Sequence, residues 1–508
     1  PLSGWGGGRL PKRSGLRNRP RSGGLDVIVE PLNRQREPNA HRAGGVASQN
    51  GEQHRPVDDD QQPMDPGDQR MKTDETIVVG GGIAGLMCAA KLANAGRRVT
   101  VLEASAALGG RAATYEEQGY RLNFGGHALY WPDEKRLRAV GVRISGGHLR
   151  ADRGSVLWRG ELSAWPLPPR VGRSALGVTE RAALLRVLAG VLTRHPERLT
   201  GQSAADWIDA HSRTPGVAGM LGALLRISSY GARLDAMPAE IAVGMVRAAA
   251  VRPVRYLDGG WVSIVDGLAA RVRAGGGRIE TSTRVTGLLG EEQVRGVCIA
   301  DGTERLAGSV VLAGLSPTRT DRLLANVGGA LPPTATVTGG RVTAACLDVA
   351  LRRLPAGAIS FALGLDEPLY LSTHSQYATL APGEGAVVHL MRYDDGQPQS
   401  DTEMRGRLEQ LLDLAQPGWR DELIHARFAP RMIVDHLLPV PGAGLASRPD
   451  ITDAGVSGVI LAGDWVGPAG WLVGGSLASG AAAADAVLAA ATTAGRRGSP
   501  TATITQAA

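Results

Sequence analysis

The chain has 508 residues, 43% hydrophobic and 21% charged, with 56 basic against 49 acidic side chains and a formal net charge of +7. That surplus is mild for the length, and the basic residues scatter instead of gathering on one periodic face, which excludes nucleic-acid binding as the reading. Cys88, Cys298 and Cys346 are too few and too far apart for a disulfide framework, a CxxC pair or a zinc site, and no metal-ligand spacing occurs. A reducing, cytoplasmic setting is expected. No apolar run reaches the roughly 18 to 20 residues of a membrane span, so the chain reads as soluble, with room for a peripheral membrane association.

Residues 1–70 are rich in Arg, Gly, Pro, Asp and Gln without sustained periodicity, and are expected to be a disordered extension. Met71 is the expected true start, because Met71 to Thr76 leads directly into the first strand. From Met71 onward there is enough chain for two domains.

Ile77-Val78-Val79 runs into Gly80-x-Gly82-x-x-Gly85, then a helix over Leu86 to Ala95 stopped by Gly96, and then a second strand ending at Glu103. This order is a dinucleotide site. Gly80 permits the tight turn, Gly82 lets backbone approach a pyrophosphate, and Gly85 lets the helix pack on the strand. The helix N-terminus faces the phosphates with free N–H groups. Glu103 is placed to accept hydrogen bonds from the adenosine ribose and to repel a 2′-phosphate, so FAD or NAD fits and NADP does not.

Gly109-Gly110-Arg111 follows, then an alternating stretch from Gly119 to a glycine-rich bend at Gly125-Gly126-His127. Residues 175 to 250 read as a helical lobe, with apolar positions three and four apart in Ala183 to Leu192 and in Val217 to Leu225. Tyr256 to Trp261 is a loop opening a helix over Val262 to Ala274. Strands are expected at Arg278 to Thr281, Val294 to Ala300, Ser309 to Ala313, Val342 to Val349 and Val387 to Met391, with a helix at Thr402 to Ala415. The last unit is a buried strand, Gly458 to Gly463, ending at Asp464-Trp465. A small-residue helix from Gly474 to Ala491 follows, its start suited to the negative charge of a reduced flavin.

With those residues in place, the chain resembles the FAD-dependent amine oxidase and phytoene desaturase superfamily over residues 74–490. It is most similar to the bacterial phytoene-desaturase-like NAD(P)/FAD-dependent oxidoreductases. The resemblance rests on Gly80 to Gly85 with Glu103 and Gly109-Gly110-Arg111, on Tyr256 to Leu268, on Thr283-Arg284-Val285 and on Gly463-Asp464. It implies an α/β fold: a discontinuous Rossmann-like FAD-binding domain of the glutathione-reductase type (74–150, 257–325 and 445–490). A mixed α+β substrate domain containing the helical lobe (151–256 and 326–444) and a flexible tail (491–508) complete the expected organisation.

By the same resemblance, the cofactor contacts are Gly80, Gly81, Gly82, Ala84, Gly85, Glu103, Gly109, Gly110, Arg111, Gly126, Val285, Gly463, Asp464 and Val473. Arg111 would neutralise pyrophosphate or lie near the flavin, Val285 would meet adenine through its backbone, and Asp464 would bind the ribitol or pyrophosphate region. His127 is the one candidate for a catalytic side chain, and Trp465 and Trp471 border the substrate cavity or pack in the core.

Lysine occurs only at Lys12, Lys72, Lys91 and Lys135, whereas amine oxidases of the family place a Lys near flavin N5. No Cys lies in the C-terminal flavin loop, so the FAD is expected to be non-covalent. Gly467 to Trp471 departs from typical carotenoid desaturases. The expected activity is hydride transfer between a small apolar, isoprenoid- or polyene-like substrate and flavin N5, in a phytoene-desaturase-like dehydrogenase. An amine oxidase or protoporphyrinogen-oxidase-like enzyme, and a flavin-binding protein without turnover, stand as alternatives. The sequence names no electron acceptor.

Overall fold

The computed structural model describes residues 74–150, 154–167, 174–333 and 339–497. The expected disordered extension, residues 1–70, lies outside the described residues. Short apolar runs build the first sheet: Thr76–Val79, Val99–Leu102, Arg278–Glu280, Ser309–Ala313 and Val459–Ala462. They pair in parallel, with Val459–Ala462 at one edge, then Ser309–Ala313, Thr76–Val79, Val99–Leu102, and Arg278–Glu280 at the other edge. Both faces of such a sheet must be covered, which is why these runs are continuously apolar rather than alternating.

One face packs on the helices Ile83–Asn94, Val262–Ala274 and Val473–Arg497, burying Val78, Leu86, Leu268 and Leu477 together. The other face buries Ile77, Val79 and Leu312 against a small antiparallel sheet of Val285–Leu289, Gly296–Ile299 and Glu304–Leu306.

The second sheet has seven strands, in the order Leu423–Asp435, Val342–Leu351, Ala386–Tyr393, Leu369–Thr373, Phe361–Gly364, Ser155–Trp158 and Glu161–Ala164. Along Val342–Leu351 the odd positions Ala345, Leu347 and Val349 pack under the helix Asp401–Ala415. The even positions Ala344 and Cys346 face the helical lobe. That lobe comprises Val178–Thr193, Ala204–His211, Pro215–Ser229 and Ala239–Val251. Its helix starts are sequence-encoded: Ser203 and Asp206 form a reciprocal capping box, and Thr214 caps a helix that opens on Pro215.

Three expectations are corrected. The first helix begins at Ile83, not Leu86, because Gly82 is its extended N-cap and Gly85 lies inside its first turn. Residues 155–164, which the sequence placed in the mixed α+β substrate domain without assigning an element, supply two strands to the large sheet. The expected flexible tail at 491–508 is helical through Arg497, and 498–508 lie outside the described residues. One helix stretch, Val473–Thr492, is long and apolar enough by composition to span a bilayer, contrary to the expectation of no such run. It packs against Ile83–Asn94, inside the first core.

Candidate functional site

The glycine turn is built by close approach. Gly80 has φ of 113°, and a Cβ there would overlap the carbonyl oxygen of Ala313 in the adjacent strand. A Cβ on Gly85 would overlap the Gly80 carbonyl oxygen, so that residue sets the contact of helix and turn. Gly82 differs: the nearest atom to an added Cβ is the Gly109 carbonyl oxygen at 3.9 Å, leaving open space before the helix N-terminus. Glu103 ties the second strand to this turn, its carboxylate accepting the N–H of Gly81 at 2.7 Å and of Ser105 at 2.7 Å. Gly109 donates its N–H to the Gly81 carbonyl at 2.9 Å, and φ is positive at both Gly109 and Gly110.

One cavity of about 380 Å³ runs from this turn into the space between the two sheets. Its near end is lined by Glu103, Ser105, Thr283, Val285 and Arg319, its middle by Gly80, Gly82 and Arg111, and its far end by His127, Tyr130, Tyr230, Cys346, Met391 and Trp471. Gly82 and Asp464, 382 positions apart, line the same cavity. The residues fit an FAD. A phosphate cradle stands open at Gly82, a carboxylate sits at the tip of the second strand, and a second helix N-terminus at Val473 opens on the cavity. Leu472, just before that N-terminus, holds φ of 56°, a conformation costly for a non-glycine residue that aims the helix start into the cavity.

Behind the middle of the cavity lies a charged cluster. Arg111 donates to Asp464 Oδ1 at 2.8 Å and to the Val434 carbonyl at 2.9 Å. Asp464, 1% exposed, also accepts the His436 backbone N–H at 2.9 Å and meets His436 Nδ1 at 3.0 Å. Burial works to raise the Asp464 carboxyl, but Arg111 and His436 outweigh it and hold the group far below the usual carboxylate range. Asp435 is pushed the opposite way, by its own burial and by the ionised Asp464 beside it. The two carboxyls face Arg111 and the buried Arg448, whose guanidinium donates to the Gly470 carbonyl at 2.9 Å.

At the far end His127 Nδ1 donates to the Gly125 carbonyl at 3.0 Å, and its ring packs against Trp261, centroids 4.7 Å apart. Burial pushes its imidazole down to about 4, so it is neutral at pH 7. One sheet row behind Cys346 and Met391 runs a line of polar side chains in register, Arg427, Asp348, His389 and Ser372. Asp348 accepts from Arg427 at 2.9 Å and bonds His389 Nδ1 at 2.7 Å, with both Asp348 and His389 fully buried. Tyr370 joins this layer, its hydroxyl 3.2 Å from that of Tyr256 and 3.1 Å from His374 Nε2.

Of the residues expected to contact cofactor, Gly80, Gly82, Ala84, Glu103, Gly109, Gly110, Arg111, Gly126, Val285, Asp464 and Val473 line the cavity, as does His127. Three do not reach it. Gly81 serves through its N–H to Glu103, Gly85 sits under the turn, and Gly463 bonds the Ser479 hydroxyl. Trp471 borders the cavity, whereas Trp465 is buried in the core with its Nε1–H on the Leu315 carbonyl. Arg319 was missed; it lies in the first turn of the helix Pro317–Ala325 that follows Ser309–Ala313, and ligands of parallel sheets lie beyond the strands' carboxyl ends. His436, Asp435 and Arg448 carry no local motif, and their roles arise only from long-range contacts.

A sequence family described as flavin containing amine oxidoreductase matches residues 83–320, and one described as pyridine nucleotide-disulphide oxidoreductase matches residues 34–119. A phytoene dehydrogenase of Streptomyces griseus is 46% identical over 74 residues, a stretch covering 14% of this chain and 15% of that protein. An L-amino acid oxidase of Bothrops pictus is 48% identical over 63 residues, 12% of each. In three dimensions an oxidoreductase from Methanosarcina mazei superposes with a TM-score of 0.64 at 20% identity, covering 81% of this chain and 100% of that one, a likeness of fold. With the glycine turn, Glu103 and Asp464 gathered on one cavity, these matches support a place for the chain in the FAD-dependent amine oxidase and phytoene desaturase superfamily.

Proposed function

We propose that the chain is an FAD-dependent oxidoreductase moving a hydride between an apolar, isoprenoid- or polyene-like substrate and the flavin, as a phytoene-desaturase-like dehydrogenase. What supports the substrate class is the far end of the cavity, walled by Tyr130, Tyr230, Cys346, Met391, Met432 and Trp471. The one imidazole there, His127, is neutral, and burial pushes the Tyr130 and Tyr230 phenols up, so among the described residues of this wall no charged partner awaits an ammonium or a carboxylate. Lys91 pairs with Asp485 and Lys135 lies over Trp131, and neither lines the cavity.

Bound FAD would supply the hydride-accepting N5. The chain's own work is to hold and orient. Gly80, Gly82 and the N-terminus of Ile83–Asn94 would hold the pyrophosphate, Glu103 the ribose, and Val285 the adenine. The N-terminus of Val473–Arg497 would favour negative charge on the ring half, while Arg111 stays anchored by Asp464. The apolar walls exclude water from the reacting end.

The test is the visible spectrum of the purified protein during anaerobic addition of polyprenoids or of amines. Bleaching by polyprenoids alone supports the proposal. Bleaching by amines, or by cyclic tetrapyrrole precursors, assigns the oxidase chemistry instead, and a bound flavin that no substrate bleaches leaves only binding.

A further inference from the structure

The Glu103 end of the cavity carries two arginines that the fold does not use. Arg284 stands between Thr283 and the strand Val285–Leu289, Arg319 in the first turn of the helix Pro317–Ala325, and both line the cavity. Neither guanidinium takes part in a hydrogen bond or an ion pair among the described residues. Arg319 occupies a costly place. It is half-buried, and its guanidinium is held below its ordinary value by burial first and then by Arg284, with Glu103 opposing and Arg322 adding. It also sets a cation at the positive end of a helix whose first turn holds no acidic residue. Arg284 follows a strained turn. Ser282 has φ of 53°, and the N–H groups of Ser282 and Thr283 donate to the carbonyls of Ser105 at 2.9 Å and Glu103 at 2.7 Å, tying this segment to the strand tip that carries Glu103.

We propose that Arg284 and Arg319 hold the adenine ring of the dinucleotide by cation–π stacking, and so make the chain select FAD over FMN. Two like charges kept together against repulsion, burial and a helix dipole gain when a π face comes against their planar guanidinium groups. An added phosphate would face the Glu103 carboxylate, which lines the same end of the cavity; a flat, uncharged base would not. Val285 and Leu323, 4% and 5% exposed, line this end as well and give the ring apolar contact. The inference rests on the FAD reading and deepens it, giving the base a pair of side chains where the proposed function gives it only Val285.

The experiment titrates the full chain, after removal of flavin, with FAD and separately with FMN, for wild type and for Arg284→Gln/Arg319→Gln. The variant should bind FAD about tenfold more weakly, or ~1.4 kcal/mol, and FMN as the wild type does. Its flavin-free Tm should be unchanged or higher, because two cations no longer repel each other. A variant that binds FAD within about twofold of wild type overturns the stacking and leaves the cofactor reading intact, whereas a wild type that binds no FAD overturns both. An equal loss of FMN affinity overturns it, assigning the pair to general charge attraction, and a lowered flavin-free Tm overturns it by giving the pair to the fold. Adenosine 2′,5′-bisphosphate competing with FAD better than adenosine 5′-monophosphate, in wild type and not in the variant, also overturns it and assigns the arginines to a phosphate.

Discussion

Glu103→Gln tests the adenosine half of the site with almost no change of shape. The carboxylate accepts two backbone N–H groups, Gly81 and Ser105, each at 2.7 Å and each through a different oxygen. A glutamine has a single acceptor oxygen, so one of those N–H groups must face an NH2 donor or lose its partner. A hydrogen bond to a charged acceptor contributes about 1.5–3 kcal/mol, and the surviving bond becomes a weaker neutral one. A loosening of about 2 kcal/mol is expected. The Gly81 N–H is the hinge of the turn that carries Gly82 toward the phosphates, and the same carboxylate is the proposed ribose acceptor. The loss therefore falls on the dinucleotide, a dissociation constant raised about 30-fold at 1.4 kcal/mol per decade. The assay is titration of deflavinated protein with FAD, followed by quenching of flavin fluorescence, with FMN as the comparison. FMN has no adenosine and should lose less. An FAD affinity unchanged within about twofold would refute both the ribose contact and the structural role of the carboxylate.

Arg111→Met strands Asp464, and because His436 keeps two bonds to it and Arg111 is itself 36% exposed, the cost should lie near the low end for a broken buried pair, about 3 kcal/mol. Adding Asp464→Asn should recover most of the lost Tm; a Tm unmoved by the single change would show that the pair contributes nothing. His127→Gln should flatten an acid-side loss of stability. The buried imidazole titrates at about 4 against 6.5 when unfolded, so between those pH values the unfolded chain takes up a proton that the native one refuses. Stability therefore falls as pH drops through that window, by about 3 kcal/mol when complete. Equal urea midpoints for wild type and variant at both ends of the window would contradict this. Gly85→Ala forces a Cβ onto the Gly80 carbonyl and should yield folded protein with little flavin; a normal flavin content counts against the packing argument.

The cradle was legible because each of its glycines answers a local demand: Gly80 a positive φ, Gly85 a helix pressed on a turn. The helix Val262–Ala274 was equally plain from its periodicity and from the Gly275-Gly276-Gly277 stop. The strand Leu423–Asp435 was not. It mixes His425, Arg427 and Arg431 with apolar residues and contains Pro430, a pattern that an edge strand tolerates and that its register shifts against Val342–Leu351 further blur. Phe361–Gly364 and Ser155–Trp158 are four residues each, too short to show a period, and they are strands only because neighbours pair with them. The polar row Arg427, Asp348, His389 and Ser372 was invisible for a related reason: its four members come from four strands, and only cross-strand register aligns them.

Convergence of the distant ends results from strand direction. Thr76–Val79, Val99–Leu102, Ser309–Ala313 and Val459–Ala462 are parallel neighbours, with Val79 level with both Leu102 and Leu312, and Leu312 level with Leu461. The chain leaving each strand must therefore emerge at the same carboxyl end of the sheet, where it delivers Gly80, Glu103, Gly314 and Asp464, all on the cavity wall. Ala313 shows how closely these deliveries depend on one another. Its carbonyl oxygen occupies the space that a Gly80 side chain would need, and its methyl lies 3.2 Å from where a Gly85 Cβ would stand. The turn that carries the phosphate cradle is thus shaped by a strand more than two hundred positions away. A larger residue at 313 would deform the cradle from the neighbouring strand, so the fingerprint at Gly80 to Gly85 specifies a site only within this sheet.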